Sequence, residues 1–348
     1  MALLREVDPG EVGWAERVKP TERRPPRAIV FRPDGTREEI PIEGCVARLG
    51  TAGGFLYADF HAPDERELEV LQREFHFHPL AIEDVRTRHQ RPKIDIYGDQ
   101  YFLVFYRLGP SEKDGDWLLQ ELDFFIGPNF LIVTHDSPVD LLDKTFERFT
   151  REEGKKDVSG LLYDLLDTMV DDYFLFLDDL GERSQGIEER VFERYEEANL
   201  QLLLDLKRDL ALLRRVVAPE RDAVNVLLRR DPPILDASRI FYFQDIYDHL
   251  IRIADSIDTY RELATGTLDA FLSVQNNKLS EVVRKLTILS TAFLPLMLVT
   301  SFFGMNFSRL AGATDRVFTH GMAFMLVFEV ATLWFLWWWG ILGRRRRD

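Results

Sequence analysis

The chain has 348 residues, of which 46% are apolar and 30% are charged, and its formal net charge is −15 at pH 7. Such an acidic chain is long enough for more than one domain, and its charge argues against nucleic acid as a partner. Its only cysteine, Cys45, excludes both disulfides within the chain and a zinc site built from cysteines.

The first half of the chain predicts a cytoplasmic α/β domain at residues 26–136, after a polar lead-in at residues 1–25. Alternating apolar residues on both sides of Asp34-Gly35 indicate a hairpin, and a further strand is predicted before the helix that starts at Asp64. A short helix follows at residues 78–86. Two more strand pairs are predicted around the turns at Gly98-Asp99 and Gly127-Pro128-Asn129.

Residues 137–285 predict a helical part of the cytoplasmic region. Residues 158–195 and 199–230 have helical patterns, the second with a possible break at Pro219. Residues 236–294 contain no proline, and Ile246, Leu250, Ile253 and Ile257 begin an apolar seam with steps of three and four. This pattern predicts one long helix that continues into the apolar segment after it, with Gly266 as its weakest point.

Two apolar segments near the C-terminus are long enough to cross a membrane. Residues 286–305 carry no charge, and residues 321–343 carry only Glu329. A hydrocarbon core of about 30 Å needs about 20 helical residues, so each segment predicts one transmembrane helix. Residues 306–320 would form the loop outside the cell, which completes a two-helix hairpin.

The charge distribution predicts the orientation of this hairpin. Residues 281–348 carry +4, so residues 1–280 carry −19. Arg284 and Lys285 precede the first span, and the tail at residues 344–348 contains four arginines. By the positive-inside rule both termini face the cytoplasm, so we expect a multi-pass protein of the inner (cell) membrane in contact with lipid.

Two helices cannot enclose a pore, so a transporter of this design has to oligomerise or to have another partner. One face of the first span and of the helix before it combines hydroxyl groups with apolar side chains and has no charge. Its members follow steps of three and four: Ser280, Val283, Thr287, Ser290, Leu294, Met297 and Ser301. The face is interpreted as a pore lining, with an ordinary contact between membrane helices as the alternative.

The first span ends in Gly304, Met305 and Asn306, and a short loop and a second span follow. This arrangement resembles the CorA family of divalent-cation transporters, in which Gly-Met-Asn is the signature. The similar segments also include Leu286-Thr287-Ile288, Phe293-Leu294-Pro295-Leu296, His78-Pro79-Leu80, Glu83-Asp84, His89-Gln90-Arg91-Pro92-Lys93, Val170-Asp171-Asp172-Tyr173-Phe174 and Asp245-Ile246-Tyr247-Asp248-His249.

The resemblance implies a funnel-shaped homopentamer whose first spans line the pore. Gly304, Met305 and Asn306 would form its outer mouth, where five amide oxygens meet the incoming hydrated ion. The family also senses cytoplasmic Mg²⁺ through acidic sites between subunits. The matching positions here are Asp84 with Glu83, and Asp245, to which Asp171 or Asp172 is added.

The predicted function is passive, gradient-driven uptake of Mg²⁺ through this pore, with Co²⁺ or Ni²⁺ as surrogates and Mg²⁺ also as the regulatory ion. No nucleotide-binding G-x-x-x-x-G-K-[ST] motif is present, and no catalytic spacing is found, so an enzyme is not expected. Two alternatives remain. One is a Zn²⁺ transporter of the related ZntB type, and the other is a membrane-anchored sensor or scaffold that conducts nothing.

Overall fold

The structure is a computed structural model that describes residues 4–5, 24–52, 54–110, 117–152, 155–193, 197–229, 234–304 and 315–338. Its strands are β1 (Leu4–Arg5), β2 (Arg27–Phe31), β3 (Arg37–Ile40), β4 (Phe55–His61), β5 (Lys93–Tyr97), β6 (Gln100–Pro110), β7 (Trp117–Gly127) and β8 (Phe130–His135). Its helices are α1 (Cys45–Ala52), α2 (Glu65–Phe75), α3 (Pro79–Thr87), α4 (Asp140–Arg151), α5 (Val158–Glu193), α6 (Glu197–Arg229), α7 (Ile240–Gly304) and α8 (Asp315–Trp338).

The described strands form one mixed sheet in the order β3-β2-β4-β8-β7-β6-β5. Neighbours in this order are antiparallel except β4 and β8, which run parallel with Leu56 opposite Phe130. The short β1 pairs in parallel with the start of β7. The three predicted strand pairs, at Asp34-Gly35, Gly98-Asp99 and Gly127-Pro128-Asn129, are therefore confirmed.

Helices cover both faces of this sheet because its central strands carry apolar side chains on both faces. Leu56 and Ala58 of β4 belong to the core cluster that α1, α2 and α3 complete. Tyr57, between them, stacks its ring on Phe146 of α4 at 4.8 Å. The α/β domain predicted from the sequence is thus a three-layer arrangement.

The predicted first residues of α2 and α3, Asp64 and His78, are the capping residues that directly precede these helices. Asp64 accepts a hydrogen bond from the Glu67 N–H at 2.9 Å, while its own N–H donates to the Glu67 carboxylate at 3.0 Å. This reciprocal capping box satisfies two N–H groups at the start of α2. His78 caps α3, and Pro79 occupies the first turn, where its missing N–H costs nothing.

The long helices are more continuous than the sequence suggests. The possible break at Pro219 is wrong, because α6 runs through this residue from Glu197 to Arg229. A proline inside a helix costs about 3 kcal/mol, but buried side chains on both sides, such as Val217 and Val224, hold the helix against its neighbours. The predicted weak point at Gly266 does not interrupt α7, which has 65 residues.

The chain divides into two units, Met1–Leu268 and Asp269–Asp348. The first contains the sheet, α1 to α6 and the beginning of α7, and the second contains the rest of α7 and α8. None of the described helices has an apolar stretch long enough to cross a membrane. The predicted spans at 286–305 and 321–343 extend past the described ends of α7 and α8, and both stay predictions.

Candidate metal centre

Two helices of the first unit bring a group of metal-ligand side chains together. Asp167 and Asp171 lie one turn apart on α5, and His249 lies on α7. One potential ligand atom from each residue lies within 4.8 Å of the other two. Residues four apart share one face of a helix, so α5 presents both carboxylates to the imidazole.

His249 has an unusual hydrogen-bond environment. Its Nε2 atom lies 3.6 Å from the Asp245 carboxylate, one turn earlier on α7, while its buried Nδ1 atom has no hydrogen-bond partner among the described residues. The edge of the ring packs against Phe174 with the centroids 5.5 Å apart. An imidazole held by an aromatic ring, with one nitrogen still unpaired, is available as a ligand.

The centre carries an excess of negative charge. Burial raises the pKa of Asp167, and the nearby carboxylate of Asp171 raises it further, against the opposing influences of His249 and of a hydrogen bond with Tyr163. The pKa of Tyr163 is raised to about 12, again by burial first and then by the charge of Asp167. A bound cation would relieve the repulsion between charges that adds to these shifts.

The donor set fits a divalent cation. Carboxylate oxygens suit Mg²⁺, which retains several waters, and imidazole suits Co²⁺, Ni²⁺ or Zn²⁺. Three protein ligands, or four if Asp245 turns inward, leave positions for water around the ion. Such a site can bind and release an ion from solution, since Asp171 and Asp245 are exposed.

The structure separates the two adjacent aspartates of the resemblance. Asp171 belongs to the metal-ligand group, whereas Asp172 lies 3.5 Å from the Arg107 guanidinium of β6. Burial raises the pKa of Asp172, and Arg107 opposes this shift. Asp172 therefore joins α5 to the sheet within the chain.

The acidic pair on α3 lies outside this metal-ligand group. Asp84 forms an ion pair with Lys93 at 2.7 Å, and the same ammonium group lies 2.8 Å from Asp95. Glu83 is exposed. The sites that the resemblance implies for Asp84, Glu83 and Asp245 lie between subunits, so these assignments stay predictions.

Sequence reasoning missed Asp167 and His249. Their spacing from the predicted residues indicates both of them, because Asp167 precedes Asp171 by four residues and His249 follows Asp245 by four. Two such pairs on helices that pack together predict a four-residue site. The missing information was that α5 and α7 are neighbours.

The seven residues of the predicted pore face lie on α7, and all of them are exposed in the single chain. Leu294 and Met297 are 65% and 71% exposed, and the Thr287 hydroxyl donates to the Val283 carbonyl at 2.9 Å. Gly304 is the last residue of α7. Met305 and Asn306 lie outside the described residues.

Comparison with known proteins identifies the family. Residues 52–345 match the family model described as "CorA-like Mg²⁺ transporter protein". The chain is 35% identical over 245 residues to the cobalt/magnesium transport protein CorA of Thermotoga maritima, covering 69% of this chain and 70% of that one. The chain therefore belongs to the CorA family, whose members are transporters of divalent cations.

Other relatives agree with this assignment. The putative metal ion transporter YfjQ of Bacillus subtilis is 32% identical over 253 residues, which cover 72% of this chain and 78% of that protein. The complete structure of the CorA magnesium transporter from Methanocaldococcus jannaschii shares the fold, with a TM-score of 0.72 and 21% identity over 89% of this chain and 96% of that one. The cytoplasmic domain of ZntB from Vibrio parahaemolyticus is a more distant match in fold, with a TM-score of 0.59 and 14% identity over 72% of this chain and 98% of that one.

Proposed function

We propose that this chain carries Mg²⁺ passively into the cytoplasm, with Co²⁺ or Ni²⁺ as alternative cargo. The observation that carries this proposal is the family match across residues 52–345, together with relatives named as cobalt/magnesium and magnesium transporters. The membrane potential supplies about 2.3 kcal/mol per charge per 100 mV, and hence about 4.6 kcal/mol for a divalent cation. Uptake then needs no nucleotide.

The proposed path runs through a homopentamer in the inner (cell) membrane. The first span of each subunit, residues 286–305, and the helix before it contribute the face from Ser280 to Ser301, and the second span, residues 321–343, lies outside it. The exposure of large apolar side chains on α7 and α8, such as Leu294 and Phe324, supports contacts with lipid or with other subunits. Asn306 offers amide oxygens at the mouth, with Gly304 and Met305 beside it.

The proposed gate responds to cytoplasmic Mg²⁺. Asp167, Asp171 and His249 provide a site on the first unit, and Asp245 lies next to it. Residues 1–280 carry −19, so five copies around one axis repel each other unless cations bind between or within them. Loss of these ions would loosen the assembly and favour the open pore.

Flux into liposomes tests the transport proposal. The purified chain should admit Mg²⁺ and Co²⁺ when a potential is applied, and Asn306→Ala should reduce that flux. Ser308→Ala, in the same loop, serves as the matched control. Selective Zn²⁺ flux would favour the ZntB-type function instead, and no flux of any cation would leave the sensor or scaffold as the better explanation.

Adjacent aspartates provide a matched pair of variants for the gate. Asp171→Asn removes a ligand atom of the metal centre, whereas Asp172→Asn removes a carboxylate one residue away that faces Arg107. Mg²⁺ should protect the wild-type chain and Asp172→Asn from proteolysis, and it should protect Asp171→Asn only at higher concentration. The Asp84→Ala, Asp245→Ala double variant should also need more Mg²⁺. Equal protection of all four chains would contradict regulatory binding.

A further inference from the structure

Two acidic side chains, Glu121 and Asp123, lie on the same face of β7, away from the metal centre. Glu121 is opposite Tyr106 of β6, and Asp123 is opposite Thr134 of β8. Asp123 is fully buried, and residues two apart on a strand project from the same face, so the two carboxyl groups are neighbours. Carboxylate oxygens only accept hydrogen bonds, and two ionised carboxylates side by side repel each other, so a proton on one of them would supply the missing donor.

Each carboxyl group has one oxygen with partners and one without. Glu121 Oε2 accepts from the Tyr106 hydroxyl at 2.8 Å and from the Gln90 N–H at 3.1 Å. Asp123 Oδ2 accepts from Arg88 at 2.6 Å and from the Thr134 hydroxyl at 3.2 Å. The remaining atoms, Glu121 Oε1 and Asp123 Oδ1, are buried and have no hydrogen-bond partner among the described residues.

The surrounding charges cannot support two ionised carboxylates. Among the described residues, the one cation that forms an ion pair with Asp123 is Arg88, which also lies 3.1 Å from the Asp136 carboxylate. Burial raises the pKa of Glu121, and the charge of Asp123 raises it further. Burial also raises the pKa of Asp123, against the opposing charge of Arg88. One proton would therefore remove an uncompensated buried charge.

We propose that Glu121 and Asp123 form a proton-binding site, in which one shared proton joins the two carboxyl groups beside Arg88. The titratable and charged groups that face the pair are Tyr106 from β6, Arg88 from the segment after α3 and Asp136 from the end of β8, and Arg215 of α6 lies along the cavity beside Glu121. The site does not depend on the proposed transport, because its occupant is a proton and its ligands lie within one unit.

The position of the site gives this proton a structural consequence. Arg88 and His89 both have a positive φ, of 54° and 60°. Residues other than glycine adopt this backbone conformation only at an energetic cost. The Arg88 ion pair with Asp123 and the Gln90 N–H bond to Glu121 hold this segment against β7. Loss of the proton places like charges beside these anchors and loosens the end of α3.

Solvent can exchange protons with the pair. A cavity of about 250 Å³ is lined by Gln90, Tyr106 and Glu121, with Asp136 and Arg215 also along its wall. Water in this cavity reaches the Glu121 side of the pair without any opening of the sheet. The site can therefore follow the pH of the surrounding solution.

Infrared titration of the full chain tests the proposal. The wild-type protein should show a carboxylic-acid carbonyl band that disappears as the pH rises from about 5 to about 9. Glu121→Gln should lack the part of this band that belongs to the pair, since the new amide keeps the acceptor for Tyr106 and Gln90 and donates permanently to Asp123. Glu220 and Asp164, whose pKa values burial also raises, contribute equally to both proteins, so the difference between the two spectra isolates the pair. Glu147→Gln is the matched control, because Glu147 is exposed and pairs only with Arg151 among the described groups. It should leave the band unchanged.

The pH dependence of unfolding provides a second measurement. The folded state holds a proton that the unfolded state releases above about pH 4.3, so the wild-type chain loses stability as the pH rises. In Glu121→Gln the free energy of unfolding should change less steeply with pH, by the equivalent of up to one proton per chain. Tyr106→Phe removes a donor to the ionised carboxylate and should shift the infrared titration to higher pH. Equal slopes for the wild type and Glu121→Gln, or an unmoved titration in Tyr106→Phe, would overturn the shared-proton site.

Discussion

Glu220 is a fully buried acid that links α6 to the sheet. Its Oε1 atom accepts from the Tyr106 N–H at 2.8 Å and from the Tyr173 hydroxyl at 3.1 Å. The Tyr106 N–H needs this acceptor because β5 pairs with β6 only as far as Val104, so no strand is available there. We predict that Glu220→Leu destabilises the first unit, whereas Glu220→Gln does not.

The expected loss of unfolding free energy in Glu220→Leu follows from the number of donors that lose their acceptor. The Tyr173 hydroxyl also lies 3.0 Å from the Tyr106 carbonyl oxygen, so it keeps a partner in Glu220→Leu. The Tyr106 N–H loses its bond to Glu220 Oε1 in the buried interior, which costs about 1–3 kcal/mol. Glu220→Gln retains the carbonyl acceptor and should change the free energy of unfolding by less than about 1 kcal/mol.

Thermal unfolding of the full chain, followed by circular dichroism, measures this difference. A change of 1 kcal/mol shifts the midpoint by about 2–4 °C in a domain of this size, so Glu220→Leu should unfold about 2–12 °C below Glu220→Gln. Burial raises the pKa of Glu220 well above its usual value. The folded state therefore retains a proton, and the wild type should lose stability relative to Glu220→Gln as the pH rises. Equal midpoints for the Leu and Gln variants would refute the acceptor role.

Three further predictions concern the first unit. Asp64→Ala removes the capping box of α2 and should lower the free energy of unfolding by about 0.5–2 kcal/mol in denaturant titrations, while Asp64→Asn should retain most of it. Gly54→Ala should cost at least about 2 kcal/mol in the same titrations, because Gly54 has φ of 120° and a Cβ would collide with the Phe31 carbonyl oxygen. Burial and the neighbouring His135 lower the pKa of His61. The unfolded state therefore binds the proton first, so the wild type should lose stability as the pH falls below about 6.5, and His61→Gln should lose less over that range in thermal melts.

Local chemistry made the individual elements predictable. Asp34-Gly35 and Gly98-Asp99 mark turns through their own backbone preferences, and Asp64 marks a helix start by the hydrogen bond that its side chain makes. The order of the strands has no such local cause. The parallel pairing of Leu56 with Phe130 joins residues far apart in the chain, and only the packing of both apolar faces selects it.

Pro219 shows where a local rule is outweighed. Its ring disfavours a helix interior by about 3 kcal/mol, and the sequence therefore suggests a break. Next to it, however, Glu220 accepts the Tyr106 N–H of β6, and Val217 and Val224 are fully buried. Ending α6 at Pro219 would forfeit these contacts together. Burial and hydrogen bonding together decide that α6 continues through Pro219, and neither can be predicted before the neighbours of α6 are known.

The candidate metal centre also depends on both local sequence spacing and the packing of distant helices. The resemblance could not choose between Asp171 and Asp172, yet one residue along a helix is a rotation of about 100° and changes the neighbour completely. Asp171 shares its face with Asp167 and meets His249, whereas Asp172 meets Arg107 on the sheet. Once one residue of a helical site is fixed, the residues four positions away become the first candidates for the others. Applied to Asp171 and Asp245, this rule selects Asp167 and His249, and the packing of α5 on α7 then brings the two pairs together.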